Sequence, residues 1–475
     1  MRRLLPFVAA VALAAPAGAT PPPFSAEPNL KAVANLKYTG GTDLEIVKIK
    51  GRRYVVAGAQ NNYNPNVGLA GLRVVDVTNP AKPKVAGFLP CNTSQNDIQV
   101  RGTTAFLAVD GNAKGNPDDK SDCYSQLRGM APKVGVVVVD LANPAKPRAV
   151  GFVDLKTGAH NTTVHPTKPV LLISESESLA VPKPDPNAMQ PIYVVDVSKP
   201  KTPKIVNTIT LGPGDSAHDI TFNTTGTRAY VAAGFTGATF ILDTANAHEP
   251  KVLGRIYDPA INFAHQADPV PGDKYVLVTD ELIGASGNPY CPGGGLHVWD
   301  VSNPAAPLKV GAFFIPDTFP SADPGPRPNP VGAGPKLFRC TAHVMKMTPN
   351  GKTLVMGWYS QGVQVLDISA LTGISTGAGG SHPPGVPGIK RIANWTTTGA
   401  DTWSAKMDDR NYIYTGDTQR GMDVLKFDPK AARTATPGEW LTPQQALFRG
   451  LKSKAMQDPD KRTYLCFERA TRLGV

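Results

Sequence analysis

Short apolar runs rich in β-branched residues recur along most of the chain, separated by polar turns. The clearest run ends in an aspartate and is repeated. Its copies read GLRVVDV from Gly71, VGVVVVDL from Val134, PIYVVDV from Pro191, TFILDT from Thr239, GLHVWDV from Gly295 and GVQVLDI from Gly362. Runs of this length and composition predict strands. A seventh, degenerate copy, GMDVLKF, begins at Gly421.

Each copy lies within the same larger pattern. Most copies continue into a Pro-rich turn and a further β-branched run, as in TNPAKPKVAGFL after Val77. Upstream lies a hairpin-like stretch such as DITFNTTGTRAYVAAG from Asp219, in which a polar tip separates two apolar halves. Asn-Pro and Lys-Pro dipeptides predict tight turns. The repeat therefore predicts units of four short antiparallel strands.

The spacing of the repeated run predicts a propeller. The shortest interval between its aspartates, from Asp196 to Asp243, is 47 residues, which is the length of a propeller blade. The segment PNLKAVANLKYTG from Pro28 resembles a fourth strand, and the seventh unit lacks one after Phe427. We therefore expect an all-β, seven-bladed β-propeller whose ring is closed by the N-terminal strand.

The two ends of the chain differ from the repeat. Arg2 and Arg3, the apolar run after them and the small residues up to Ala19 are typical of a secretory signal peptide, and they predict a periplasmic or secreted protein. At the other end, Thr442 as N-cap and Pro443 at the first helical position predict a helix on the outside of the ring. The expected organisation is a signal peptide at 1–19, a linker at 20–28, the propeller at 29–440 and a C-terminal helical tail at 441–475.

Charge and hydropathy argue against two kinds of partner. The formal net charge of +11 falls by two, to +9, when the signal peptide is removed. The basic residues are scattered, with no basic run or interleaved aromatic platform, so we do not expect nucleic-acid binding. The apolar run of the signal is too short to cross a bilayer, and we expect no integral membrane segment.

The five cysteines suit an oxidising compartment. Cys91 lies between blades 1 and 2, Cys123 lies in an insertion of blade 2, and Cys291 and Cys340 lie in loops of blade 5. Of the three pairings open to these four, we expect Cys91 with Cys123 and Cys291 with Cys340. Cys466 is then left over in the tail.

Four of the eight histidines occupy one column of the repeat, at the start of the first strand. Blade by blade, this axial column contains Thr42, Asn96, His160, His218, His265, His343 and Trp403. First strands of propeller blades line the central channel, so the four imidazoles should converge at one height on the axis. Neutral imidazole is a ligand for iron, copper, zinc and nickel. The column predicts a transition-metal centre, with iron or copper favoured over zinc, and a pocket lined by the three other residues.

The alternative is that these histidines only form hydrogen bonds within a wet channel. The remaining histidines fall outside the column and are interpreted as surface or strand residues: His165, His248, His297 and His382.

Carboxylates recur near the ends of the second strands, at Asp110, Glu175, Asp280 and Asp417. They could accept the distal N–H of a metal-binding imidazole, or they could cap turns and loop amides. The aspartates that end the third-strand runs are expected to bind local backbone N–H groups instead.

Long insertions concentrate on one face of the predicted ring, the face on which the histidine-bearing strands begin. They span 111–133, 176–191, 282–294 and 316–337. Binding residues are disproportionately found on loops held by a rigid scaffold. A ligand of this protein, either a small-molecule substrate or a protein or glycan, is therefore expected on this face.

The third-strand pattern resembles that of the LVIVD-repeat proteins, a bacterial group named for it, over nearly the whole mature chain. The resemblance implies a propeller and an exported location, but no reaction. In architecture and ligand type alone, the chain is similar to carotenoid cleavage dioxygenases, which hold a non-haem iron with four histidines, and to selenium-binding, methanethiol-oxidase-like proteins, which are associated with copper and histidines. Only His160, His218, His265 and His343 are carried over from this similarity.

Two functions from different classes follow. The first is a metal-dependent oxidoreductase in the periplasm, with a zinc hydrolase as a variant. The second is a non-catalytic binding module, because propellers host many unrelated functions. The sequence contains no glycine-flanked nucleophilic serine and no phosphate-binding loop, so other enzyme classes are weaker candidates. The metal content of the protein would separate the two functions.

Overall fold

A computed structural model describes most of the ring. The described residues are 24–38, 40–60, 70–91, 96–109, 123, 126–127, 134–156, 158–175, 190–234, 236–281, 294–315, 341–372, 386–397, 399–431 and 438–455. They form seven antiparallel sheets, which confirms the predicted seven-bladed β-propeller. The predicted signal peptide, Asp110, Cys291, Cys340, His382 and Cys466 lie outside the described residues.

Blades 1 to 4 contain four strands each, ordered as they occur in the chain. Blade 1 contains Gly41–Ile49, Arg52–Ala59, Gly71–Asp76 and Lys84–Pro90. Blade 2 contains Ile98–Arg101, Thr104–Val109, Gly135–Asp140 and Arg148–Asp154. Blade 3 contains Ala159–Val164, Val170–Glu175, Pro191–Asp196 and Lys204–Thr210. Blade 4 contains Asp219–Phe222, Arg228–Ala232, Ala238–Asp243 and Lys251–Tyr257.

Blades 5 and 6 each gain a fifth strand, and blade 7 closes the ring. Blade 5 contains Ala264–Pro269, Tyr275–Asp280, Leu296–Asp300, Leu308–Phe314 and Glu439–Leu441. Blade 6 contains Met345–Met347, Thr353–Gly357, Val363–Asp367, Lys390–Thr397 and Phe24–Ala26. Blade 7 contains Thr402–Met407, Tyr412–Asp417, Met422–Phe427 and Leu30–Leu36.

The closure predicted from the sequence is confirmed. Leu30–Leu36 pairs antiparallel with Met422–Phe427, with Leu30 opposite Phe427. The fifth strands were not expected, and Phe24–Ala26 falls within the stretch assigned as a linker. Both cover the outer edge of a blade, where the backbone N–H and C=O groups of an edge strand can pair with another segment.

Two helices are described, Ser369–Thr372 and Pro443–Ala455. The longer one begins as predicted, because the Gln445 N–H donates to the Thr442 hydroxyl at 3.4 Å and the Thr442 N–H donates to the Gln445 side chain at 2.9 Å. This reciprocal pair satisfies two backbone donors at the helix start. Ala446 packs on Phe314 of the outermost long strand of blade 5, so the helix lies on the rim of the ring.

The core is divided among the blade interfaces. Seven clusters of buried apolar side chains each join two neighbouring blades, and together they run around the whole ring. Between blades 1 and 2, for example, Leu72 and Val74 pack with Leu107 and Val137. This continuous packing makes the axis a rigid place for side chains to converge.

The aspartates that end the third strands share one structural role. Each accepts the backbone N–H of the residue two positions later, at 2.7 to 2.9 Å: Asp76, Asp140, Asp196, Asp243, Asp300 and Asp367. The prediction that they bind local backbone groups is confirmed.

Cys91 and Cys123 form the predicted disulfide, with their Cα atoms 5.3 Å apart. It ties the exit of blade 1 to the insertion of blade 2. Within the described ranges, no helix has the length and hydropathy needed to cross a membrane.

Candidate metal centre on the propeller axis

The axial column lies where the first strands are irregular. In blades 3 and 5, the register between the first and second strands shifts around His160 and His265. A bulge of this kind adds a residue to one strand and re-aims its side chain. In blade 4, His218 immediately precedes the strand Asp219–Phe222, and in blade 6, His343 lies two residues before Met345–Met347. The start of each first strand therefore delivers the imidazole to the axis.

The four histidines form a continuous arc of buried rings. Ring centroids are 4.1 Å apart for His160 and His218, 4.5 Å for His218 and His265, and 4.0 Å for His265 and His343. None is more than 7% exposed. Blades 3 to 6 thus place neighbouring imidazoles side by side, as expected for one column of a propeller.

Backbone carbonyls fix the orientation of two of the rings. Nδ1 of His218 lies 3.0 Å from the carbonyl oxygen of His265, and Nδ1 of His343 lies 2.8 Å from that of Trp403. A carbonyl can only accept, so Nδ1–H donates in both cases. In the neutral ring, Nε2 then carries the lone pair that binds a metal.

Glu281 joins the histidines from the end of the second strand of blade 5. Its side chain is fully buried, with Oε2 3.7 Å from Nε2 of His265 and Oε1 3.7 Å from Nε2 of His343. One ligand atom each from His218, His265 and Glu281 lies within 4.8 Å of the others. Two ligands bound at about 2.1 Å lie at most about 4.2 Å apart, so shifts below about 1 Å would bring this donor set onto one ion.

This donor set is mixed, whereas the sequence suggested nitrogen ligands alone. Two of the four predicted histidines belong to it, and His343 contacts its carboxylate. Two histidines and one carboxylate with open positions are typical of non-haem Fe(II) sites, and the same ligand types bind catalytic zinc. The residues therefore fit a transition metal. Ligation by all four histidines stays a prediction.

Tyr359 holds Glu281 in place. Its hydroxyl donates to Oε1 of Glu281 at 2.7 Å, and its ring lies 4.6 Å from that of His343. The backbone of Tyr359 exchanges two hydrogen bonds of 3.0 Å with Thr402, and its φ of 39° lies in the left-handed region. Non-glycine residues in that region cluster at functional sites, where the surrounding structure maintains the strain.

Aromatic rings cover the imidazoles. Trp403 packs against His343 with centroids 4.4 Å apart, and the edge of Phe263 meets His218 at 4.8 Å. Burial, followed by repulsion from the neighbouring histidines, lowers the pKa of His218 and of His265 well below the ordinary value. Both rings are therefore neutral near pH 7 and have a lone pair for a metal.

A layer of carboxylates lies next to the imidazoles. Asp43, Asp97 and Asp219 each follow a member of the axial column in sequence; Asp43 is buried, and Asp97 and Asp219 are partly buried. Burial and the nearby charges of Asp43 and Asp219 raise the pKa of Asp97 well above its usual value. Lys406 lies 3.3 Å from Asp43 and 2.9 Å from Glu45. Burial alone would lower the pKa of Lys406, but these carboxylates outweigh it and the pKa is raised.

A cavity of about 30 Å³ lies among the imidazoles and the carboxylates. It is lined by Asp43, Asn96, Asp97, His160, His218, Asp219, His265, Val344 and Trp403. Two of the three predicted pocket residues, Asn96 and Trp403, thus lie on its wall. Thr42 stands behind Asn96, because its hydroxyl donates to the Asn96 carbonyl at 3.0 Å.

The predicted second-strand carboxylates have local contacts. Asp280 accepts the backbone N–H groups of Asn262 and Phe263, both at 2.9 Å. Asp417 accepts those of Asp401, Gln419 and Arg420, at 2.8 to 2.9 Å. Glu175 accepts the Tyr193 hydroxyl at 3.3 Å. For Asp280 and Asp417 these contacts match the loop-capping alternative, and Asp280 thereby fixes the loop that precedes His265.

Two histidines outside the column are buried elsewhere. His165, expected at the surface or in a strand, lies buried in a turn, where its Nδ1 accepts the N–H groups of Thr167 and Lys168. These two backbone hydrogen bonds stabilise the imidazole in its buried position. His297 lies in the third strand of blade 5, with Nδ1 2.7 Å from Nζ of Lys309 and 3.5 Å from Asp258.

Sequence reasoning missed Glu281 and Tyr359. Each follows the end of a second strand, Glu281 in blade 5 and Tyr359 in blade 6. Neither residue type recurs there from blade to blade, so the repeat does not reveal them. The one available signal was the adjacent pair Asp280-Glu281 in blade 5, where two consecutive carboxylates end an apolar strand.

Comparison with known proteins agrees with this architecture. A family model described as the LVIVD repeat matches residues 67–89 and 290–313, whereas no curated protein matches the chain. The periplasmic gluconolactonase PpgL of Pseudomonas aeruginosa has a similar fold, with a TM-score of 0.54 and 10% identity over 82% of this chain and 96% of that chain. Kuenenia stuttgartiensis hydrazine synthase gives a TM-score of 0.52 and 12% identity over 85% and 97%. At such identities the likeness concerns the fold alone. The chain contains LVIVD repeats and has the fold of a seven-bladed β-propeller.

Proposed function

We propose that the protein is an exported, metal-dependent oxidoreductase whose centre is held by His218, His265 and Glu281. The observation that carries the proposal is the convergence of these three buried side chains, with ligand atoms within 4.8 Å of one another. Iron is the favoured metal, because two imidazoles and one carboxylate are typical of non-haem Fe(II) sites, while copper prefers nitrogen-rich or thiolate sets. His160 and His343 flank the centre.

Bound iron would supply one-electron chemistry and an open coordination position. The protein residues would prepare the site for it. The carbonyl oxygens of His265 and Trp403 keep Nδ1 of His218 and His343 protonated, which leaves Nε2 as the ligand atom. The Tyr359 hydroxyl fixes the Glu281 carboxylate, and partners of this kind sustain metal affinity. Trp403 and Phe263 exclude water from the imidazole side.

We place the activity in the periplasm or outside the cell. The N-terminal signal pattern supports export, and the Cys91–Cys123 disulfide suits an oxidising compartment. The substrate would be a small molecule that enters from the face on which the histidine-bearing strands begin, where the sequence predicts the long insertions.

The test is the metal content of untagged protein purified from the periplasm. We expect about one iron per chain and oxygen consumption with a suitable reductant. The double variant His218→Ala/His265→Ala should lose the metal, while His248→Ala, which alters an exposed histidine outside the centre, should retain it.

Other outcomes would redirect the proposal. Failure to bind Fe(II), copper or zinc, even after anaerobic reconstitution, would exclude the metal enzyme and leave a non-catalytic module that binds a protein or glycan. Stoichiometric zinc without redox activity would favour metal-activated hydrolysis, and a lactone would then be the first substrate class to test, given the fold shared with a gluconolactonase.

A further inference from the structure

We infer that the axial cavity on the carboxylate side of the imidazoles binds a second cation, a hard divalent ion such as Ca²⁺ or Mg²⁺, through oxygen atoms of Asn96, Asp97 and Asp219. This site goes beyond the proposed function and does not depend on it. It lies on the opposite side of His265 from Glu281: Nε2 of His265 is 3.7 Å from Glu281, and Nδ1 is 4.0 Å from Asp219.

The ligands come from two different blades and a third blade holds one of them in place, which gives the site a built geometry. Asn96 and Asp97 precede the first strand of blade 2, and Asp219 begins that of blade 4. The backbone N–H of Thr162, in blade 3, donates to Oδ2 of Asp97 at 2.9 Å and fixes that carboxylate. Carboxylate and amide oxygens are the ligands that hard divalent cations prefer.

Asn96 provides an observation independent of the acidic residues. The side chain is 1% exposed and lines the cavity. Its Nδ2 donates to the carbonyl oxygen of Ala59, which leaves the amide oxygen for the cavity side. Among the described residues, Oδ1 has no hydrogen-bond partner. A buried acceptor without a donor costs about 1 to 3 kcal/mol, and a cation in the cavity would satisfy it.

Negatively charged side chains also predominate around the cavity. Three carboxylates, Asp43, Asp97 and Asp219, line it, and the nearby ammonium group of Lys406 contacts Asp43 at 3.3 Å. The same ammonium group also contacts Glu45 at 2.9 Å, so one positive charge is shared among several carboxylates. Buried charges require compensation, and a divalent ion would supply it.

The size of the cavity restricts the ligand. Its volume of about 30 Å³ exceeds the about 10 to 15 Å³ that one water-sized occupant needs. A single ion fits this space. The occupant is therefore an ion held largely by protein oxygens.

The experiment uses the mature full-length chain, stripped with a chelator and titrated separately with Ca²⁺ and Mg²⁺ by calorimetry. We expect saturable binding of one ion per chain with a dissociation constant below about 1 mM, the upper limit for extracellular calcium sites. Saturating ion should also raise the melting temperature of the wild-type protein, because it binds the folded state only.

Matched variants separate this site from the imidazole centre. Asp97→Asn and Asn96→Ala should each weaken binding of the hard ion by roughly tenfold or more, while Glu281→Gln should leave it unchanged. Fe(II) binding should show the opposite pattern, lost in Glu281→Gln and kept in Asp97→Asn. If the wild-type protein binds Ca²⁺ or Mg²⁺ but not Fe(II), the proposed function is contradicted and this inference still holds.

Two results would overturn the inference. One is the absence of Ca²⁺ and Mg²⁺ binding, with no shift in melting temperature, in the wild-type protein. The other is wild-type affinity for these ions in both Asp97→Asn and Asn96→Ala. The first result needs no variant, so the test does not depend on whether a substituted protein folds.

Discussion

The first and third strands of the blades contrast sharply, although both belong to the same repeat. The third strands end in an aspartate in six blades, and each of the six accepts the same backbone N–H two residues later. At the start of the first strand, each of the seven blades contributes one residue, and only four of these seven are histidine. One position is uniform and the other is divided between the two halves of the ring.

The difference reflects where each position lies. The aspartate that ends a third strand makes a short-range hydrogen bond within its own turn, so the same side chain has the same local role in each copy. Residues at the start of the first strands meet one another across the axis, where one ion or one substrate faces different blades. There the copies must differ, because a site needs distinct groups on its different sides.

The largest expected effect comes from two adjacent residues of blade 5. Glu281→Gln removes the carboxylate that faces His265 and His343, and we expect the affinity for Fe(II) to fall more than about 100-fold while the protein stays folded. Asp280→Asn alters the cap of the loop at Asn262 and Phe263 and removes a negative charge near His297 and Lys309, so it should lower stability more than metal affinity. Metal titration and urea unfolding of both variants measure the two effects. Equal loss of affinity in both would contradict the division of roles.

Tyr359→Phe should have the next largest effect. The change removes the hydroxyl that donates to Glu281 but retains the ring against His343. Loss of a group that orients a ligand should reduce Fe(II) affinity by roughly tenfold. Tyr275→Phe, which alters a buried tyrosine in a blade interface, serves as the control. An affinity equal to wild type in Tyr359→Phe would show that the hydroxyl does not position the carboxylate.

Lowering the pH should reduce the free energy of unfolding of the metal-free protein, because the axial imidazoles are neutral in the folded state. The pKa values of His218 and His265 are lowered well below those of the unfolded chain, about 6.5. The unfolded state therefore binds more protons as the pH falls below that value. This part of the free energy of unfolding is fully present above about pH 6.5 and declines towards the lowered pKa values.

Urea unfolding at about pH 7 and about pH 5 tests this in the wild type and in His218→Asn/His265→Asn. The variant should lose less stability between the two pH values. The lowered pKa values of His165 and His297 contribute equally to both proteins, so the difference reports on the axial histidines and on Asp219, which contacts both. The same decline in both proteins would contradict the expectation.

The smallest effect should come from the uniform position. Asp243→Ala removes one hydrogen bond to the N–H of Ala245, 2.9 Å long, and should lower the free energy of unfolding by about 1 kcal/mol. Fe(II) affinity should not change, because the lost hydrogen bond is local to the turn. A change in metal binding would show that the third-strand turns are coupled to the axis.

Local patterns made some of these features predictable. The strand runs, the Pro-rich turns, the fourth-strand character of residues after Pro28 and the cap at Thr442 are all visible within a few residues of sequence. The column that contains His160, His218, His265 and His343 is also visible, because a repeat assigns one height to equivalent positions. The fifth strands Phe24–Ala26 and Glu439–Leu441 were not predictable, since each pairs with an edge that is distant in sequence.

The sequence by itself determined the blades, their number, the closure of the ring and the histidines at its axis, because these depend on periodicity and on short-range turn chemistry. Only the tertiary structure decided that Glu281 and Tyr359 join His218 and His265, and that Asn96, Asp97 and Asp219 share a cavity. These residues lie on different blades and follow no common period. They meet because the packed ring fixes seven strand ends around one axis.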